Sequence, residues 1–437
     1  MKGISRHAAS DRLHNLPHRH APARSLPHAP AVCLAAAAVS LNLGLLLALA
    51  ASHEIQTFLY QPRVLAVAHA LALGWISLAI TGVLYGYVPA LTKQPLRWPW
   101  LGRLQVAAFI GGALAMIAHL WIGHLNGTAW SGGVVLLSIG MLLALLLPLL
   151  LRAPQYDATV IGIGTALVSF LGVAVLGLAY AVDKTHPLLG GTVLSRIAAH
   201  AHLAVLGWVT LTICAVSYRM IAALTLPDVL FPRAARQQVL SLSAIVPLLV
   251  VALLARSVLV MPLALAAAAS LVWYVVIILR LLRTRRKPLY WSIRHVQAAM
   301  VHLCTAIICG LAFVFEVDIG SAVGTHLAVA YGVLALLGWA SNFIMGVGNR
   351  LAPSLSAVQG VAPRAILSTR TQAVMFWAFN LGVAGMALAA LGNSRTLLLG
   401  ATALALIATL LFARAIIGHA VEIVTSARAP AHRAHAA

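Results

Sequence analysis

Histidine is the residue here best able to do chemistry on an apolar background, and two histidines are followed by the same words. His69 precedes Leu73, Gly74, Trp75, Leu78, Ile80, Val83 and Tyr85; His202 precedes Leu206, Gly207, Trp208, Leu211, Ile213, Val216 and Tyr218. Counting the alanine before each histidine, nine of eighteen aligned positions are identical. A third stretch, Thr325-His326-Leu327-Ala328-Val329, repeats His202-Leu203-Ala204-Val205 and then drifts, with its own Gly338-Trp339 pair coming later. The three starts lie 133 and 124 residues apart.

A histidine inside a membrane-length apolar run is costly and marks function by default. Neutral imidazole is a natural ligand for iron and copper. Two histidines on different helices can clamp one haem iron from both faces. Gly74 and Gly207 follow their histidines by five residues, and the missing side chain leaves room for a flat group against the backbone. Trp75 and Trp208 are placed to pack on such a group or to anchor the helix at an interface. Tyr85 and Tyr218 each follow by sixteen residues, on a deeper turn. The reading that competes is plain packing, since small-residue faces also arise wherever membrane helices approach closely.

The elements that position these residues are apolar helices. Hydrophobic residues make up 62% of the 437 and charged residues 8%, which excludes a soluble domain of this size. Runs of about 20 apolar residues recur without strand-like alternation, so the fold is expected to be all-α and polytopic in the lipid bilayer, not a barrel. Twelve spans are expected, near 31–52, 63–91, 104–124, 129–151, 158–182, 192–224, 238–256, 258–282, 290–315, 319–347, 371–392 and 396–424. Residues 1–30 read as a disordered cytoplasmic tail that includes His7, His14, His18, His20 and His28, and 425–437 as a second cytoplasmic tail.

Charge tests this count. With both termini inside, 24 of the 29 lysines and arginines fall on the inner side and 5 on the outer. That asymmetry fits the positive-inside rule and a bacterial cytoplasmic membrane. It also accounts for the net charge of +21 without nucleic acid. The four cysteines, Cys33, Cys214, Cys304 and Cys309, form no Cys-x-x-Cys motif and read as free thiols.

The three histidines thus fall on spans 2, 6 and 10, and the 31–424 domain reads as three pseudo-symmetric four-helix arcs, about 31–151, 158–282 and 290–424. His69, His202 and His326 are expected at one depth in the outer half of the bilayer, roughly 10–15 Å from the surface. His119 on span 3 returns to nearly that depth, and His302 lies near the middle of span 9.

Twelve spans, three arcs and histidines on spans 2, 6 and 10 resemble subunit I of the haem–copper oxidase superfamily, nearest the cbb3-type oxidase and nitric oxide reductase branch. The wording around His69 and His202 also resembles the related NnrS-type membrane proteins, linked to nitric oxide stress. The resemblance implies a low-spin haem b held by His69 and His326, and a second-metal ligand at His202 or His200. The chain departs from the family in two places. The adjacent histidine pair of span 7 is absent, since 238–256 holds no histidine, and span 10 reads Gly324-Thr325-His326 where the family has His-x-His. His200, His202, His119 and His302 therefore form the candidate second site, for a haem or a copper. Glu54, Asp183, Glu316 and Asp318 sit at outer ends of spans, so carboxylate-lined proton uptake is not expected.

The function expected is respiratory electron transfer or the handling of oxygen or nitric oxide. The activity would be that of an oxidoreductase, terminal oxidase or nitric oxide reductase-like, with quinol or a cytochrome c as donor and with partner subunits. Two alternatives stay open: a non-enzymatic NnrS-like nitric oxide response or sensor protein, and a transporter using intramembrane histidines as proton carriers.

Overall fold

The computed structural model describes residues 26, 28–315, 318, 320–358 and 365–426. Most of the two expected tails, with His7, His14, His18 and His20, lies outside the described residues, as does Glu316. Among the described residues, twelve helices are long and apolar enough to cross a membrane: α1 (Ala29–Ala50), α2 (Pro62–Thr92), α3 (Pro99–Trp121), α4 (Leu125–Leu150), α5 (Ala158–Asp183), α6 (Val193–Thr225), α7 (Pro232–Ala255), α8 (Val260–Arg283), α9 (Trp291–Ala312), α10 (Ala322–Arg350), α11 (Thr369–Leu391) and α12 (Arg395–Ser426). In such sequences every backbone N–H and C=O must be satisfied within the segment, which the helix alone achieves without a closed barrel.

Local signals set the ends. Proline stands in the first turn of α2, α3 and α7, where its missing N–H costs nothing. Asp157, Thr192, Ser321 and Ser368 accept from backbone N–H groups at the starts of α5, α6, α10 and α11.

Nine of these helices close into a ring around the other three, α2, α6 and α10. Helix α2 packs on α1, α3 and α4; α6 packs on α5, α7 and α8; α10 packs on α9, α11 and α12. Each inner helix thus touches the one before it and the two after it, which makes the repeat three units of four. The units join through α4 with α5, α8 with α9, and α12 with α1.

The inner helices share a local irregularity. Ala70–Ser77 of α2, Leu203–Thr210 of α6 and Leu334–Ser341 of α10 are π-helical over eight residues each. All three carry Leu-Gly-Trp-x-Ser/Thr at the same places. Their tryptophans are fully buried and bonded in a closed circle. Trp75 donates to Ser341 Oγ at 2.7 Å, Trp208 to Ser77 Oγ at 2.9 Å, and Trp339 to Thr210 Oγ1 at 3.0 Å. An indole N–H in an apolar interior needs such a partner, since an unpaired one costs about 1–3 kcal/mol.

This circle fixes the register of the third repeat and corrects the one read from the sequence. With Gly338-Trp339 set on Gly74-Trp75 and Gly207-Trp208, the residue in the place of His69 and His202 is Val333. His326 lies seven residues earlier, about two turns or roughly 10 Å nearer the helix start. The local match of Thr325–Val329 to the second repeat is not a structural equivalence.

Candidate functional site

Each motif histidine immediately precedes its π segment, and its ring is tied to its own helix. His69 Nδ1 lies 2.7 Å from the carbonyl of Leu65, and His202 Nδ1 lies 2.7 Å from that of Ala198. A carbonyl only accepts, so Nδ1 carries the proton and Nε2 keeps the lone pair. Metal-ligating histidines show this same arrangement.

The partners of these rings follow the repeat. Two residues before His202 stands His200, and two before Val333 stands Tyr331. His69 faces His200 across the first inner interface, with ring centroids 6.5 Å apart and planes 28° from parallel. His202 faces Tyr331 across the second, at 6.0 Å and 37°. By register the third interface would join Val333 with Val67, which carry no chemistry.

The His69–His200 pair has further features of a binding site. The His200 ring rests on Gly177, where an added Cβ would lie 2.9 Å from Cε1. Tyr180 meets the same ring edge-on at 6.0 Å. The buried His200 Nδ1 and Tyr180 hydroxyl both lack a hydrogen-bond partner. Neighbouring buried polar atoms left unpaired need an explanation, and a bound group is one.

Other expected residues are placed differently. His326 Nε2 lies 3.2 Å from the Gln56 carbonyl, so the nitrogen that His69 and His202 keep free is engaged here. His119 pairs with His124, centroids 5.5 Å apart, against Gly127. His302 Nε2 is 3.1 Å from Asn380 Oδ1. The four residues expected to form one second site thus have four different neighbours, and among the described residues no group of three or more His, Cys, Asp or Glu is placed to hold a metal ion. Gly74 and Gly207 do not open onto a ligand space; Ser40 and Ser169 of the preceding helices press on them, 2.9 and 3.0 Å from an added Cβ. Trp75 and Trp208 belong to the indole circle. All four cysteines are free.

Glu422 and the partners of several polar residues escaped the sequence reading. Tyr85 donates to Gln105 Oε1 at 2.7 Å and Tyr218 to Gln238 Oε1 at 2.8 Å. Their shared separation of twenty residues is a signal the sequence does carry. Glu422 near the end of α12 lies 3.3 Å from His419 Nδ1, a carboxylate at the arginine-rich end of the bundle. His295 and Asn342, bonded at 2.8 Å, are both fully buried.

No family model matches this chain, and no curated protein does. A solved haem–copper terminal oxidase dimer, determined by cryo-EM, does match in structure: TM-score 0.60 over 92% of this chain and 84% of that one. The twelve-helix fold is similar to that of the solved oxidase. At 12% identity the likeness is one of architecture. It matches the expected twelve-helix, haem–copper oxidase-like bundle. Helix α7 of this oxidase-like fold is without histidine along Pro232–Ala255, as the sequence implied.

Proposed function

We propose that this protein binds a b-type haem between α2 and α6, with His69 and His200 as its imidazole ligands, and works in electron transfer or in handling a diatomic gas. It would sit in a bacterial cytoplasmic membrane, arginine-rich end inward, beside a separate quinol or cytochrome donor. The observation that carries this is the 6.5 Å between the two ring centroids. Two imidazoles bound to one metal at about 2 Å per nitrogen have centroids roughly 6 Å apart. Two imidazoles alone do not complete the coordination of iron, and a porphyrin provides the remaining four nitrogens. One-electron exchange is the chemistry a bound b haem supplies. The chain's own contribution is orientation: the Leu65 carbonyl holds the His69 ring, and Gly177 admits that of His200.

Optical spectra of the purified protein, air-oxidised and dithionite-reduced, test this together with its iron content. Sharp low-spin bands are expected, lost in His69→Ala and in His200→Ala and kept in His326→Ala. Bands that survive both of the first two changes, or a colourless protein without iron, overturn the reading. The second result would leave proton-coupled transport ahead.

A further inference from the structure

On the arginine-rich side of the tryptophan circle the third repeat departs from the other two. Ten residues after the tryptophan, repeats one and two carry Tyr85 and Tyr218, each closed onto a buried glutamine. Repeat three carries Asn349 there. Its Nδ2 is buried without a partner. Beside it a cavity of about 30 Å³ opens, lined by Asn349, Pro353, Leu367, Gln372, Ile416 and His419, among others. One water needs about 10–15 Å³ of such space.

The divergence continues toward the middle of the bundle. Three residues after the tryptophan, repeats one and two have Leu78 and Leu211, while repeat three has Asn342. Asn342 lies two turns from Asn349 on the same helix face, roughly 10 Å. His295 Nδ1 is 2.8 Å from Asn342 Oδ1, and Asn342 donates to Asn380 Oδ1 at 3.0 Å. His302 then meets Asn380. His302 itself stands where repeats one and two have Ser40 and Ser169, its Cβ 2.7 Å from a Cβ built on Gly338. His295 Nε2 is buried without a partner.

On this side of the circle the third repeat thus has an amide or an imidazole where the others have a leucine, a serine or a glutamine-bonded tyrosine. Unpaired polar atoms cost free energy in such a setting unless water reaches them. We infer that the third repeat holds a hydrated inlet, running from the cavity at Asn349 through Asn342 to His295 and His302, that brings water and protons to the middle of the membrane. Described groups meet it at each step. Asn342 and the Phe376 edge face His295, Asn380 and Gly338 face His302, and Glu422 faces His419 at the mouth. Amides hold fixed orientations, so the waters and imidazoles are the proton carriers. The inference does not depend on the haem.

Cysteine reactivity tests it in full-length protein whose four native cysteines are replaced by alanine, reconstituted in vesicles. Asn342→Cys and Asn349→Cys are expected to react with a small charged thiol reagent about tenfold faster than the register controls Leu78→Cys and Leu211→Cys, whose sites stay dry. Hydroxyl-radical footprinting of the unaltered protein gives the same information without substitutions: His295 should be oxidised, and Tyr218, whose glutamine is fully paired, should not. Reaction at 342 as slow as at 78 and 211 overturns the inlet, even if 349 reacts. Should Asn342→Cys fail to fold, the footprint decides, and an unmodified His295 overturns it.

Discussion

Trp75 and Ser341 are joined by a buried 2.7 Å hydrogen bond between the first and third repeats. With its two counterparts the bond makes a circle in which each repeat donates to one neighbour and accepts from the other. Ser341→Ala leaves the Trp75 N–H buried and unpaired. A loss of about 1–3 kcal/mol is expected, seen as a lower melting temperature in detergent. Ser341→Thr, which keeps the hydroxyl as Thr210 does in repeat two, should recover most of it. Equal loss in the alanine and threonine variants would assign the effect to packing.

This circle also explains what the sequence hid. The twelve helices are legible, because apolar runs of membrane length leave few alternatives. Their ends move by a few residues where a proline decides: span 3, expected from 104, starts at Pro99, and Arg103 lies within its first turns. The register of the third repeat is not legible from local identity. Thr325–Val329 copies the second repeat better than Leu334–Ser341 does at first sight, yet the π segment and its tryptophan set the alignment. His69 and His200 are legible as candidates by type. Their pairing is not, since it depends on which faces of two helices meet 131 residues apart.

Glycine positions separate close packing from open space. An alanine at Gly382 would put its Cβ 2.8 Å from the Ala401 carbonyl and the Ala405 amide nitrogen, both backbone atoms that cannot rotate away. Gly382→Ala is expected to cost about 1–3 kcal/mol by forcing α11 from α12. At Gly111 nothing lies within 4 Å of an added Cβ. Gly111→Ala should therefore be neutral or slightly stabilising, by up to about 1 kcal/mol from helix propensity. Thermal unfolding of both variants checks the contrast, and a larger loss at 111 than at 382 would contradict the packing described.

Glu54, in the short turn between α1 and α2, sits below the usual carboxylate range. Its own backbone N–H is the main cause, and the Arg63 guanidinium, 2.9 Å away, adds to it. A depressed folded-state value means the carboxylate stabilises the protein above the ordinary value, near pH 4, and that this is lost as pH falls through the lower folded value. Arg63 is about half exposed, with 52% of its side chain accessible, so the whole effect should stay under about 1 kcal/mol. The melting difference between wild type and Glu54→Gln should be small and constant near neutrality and close toward acid. A gap that widens on acidification would reverse the sign.

The Tyr85–Gln105 bond offers a test of whether the closed repeats are closed by polarity or by shape. Gln105 is fully buried, and its Nε2 has no partner even with the tyrosine present, whereas Gln238 Nε2 reaches Ser270. Removing one member strands the other: Tyr85→Phe leaves Gln105 Oε1 unpaired, and Gln105→Leu leaves the Tyr85 hydroxyl unpaired. Each should cost about 1–3 kcal/mol. The double variant removes both polar groups and the orphaned Nε2 together, and it should be more stable than either single one. The matching cycle at Tyr218 and Gln238 should recover less, because Ser270 would then lose the Gln238 Nε2 donor, though its hydroxyl keeps the Gln238 backbone carbonyl. Unfolding measurements on the two cycles compare them directly, and equal recovery would mean that the unpaired nitrogen of Gln105 is already hydrated.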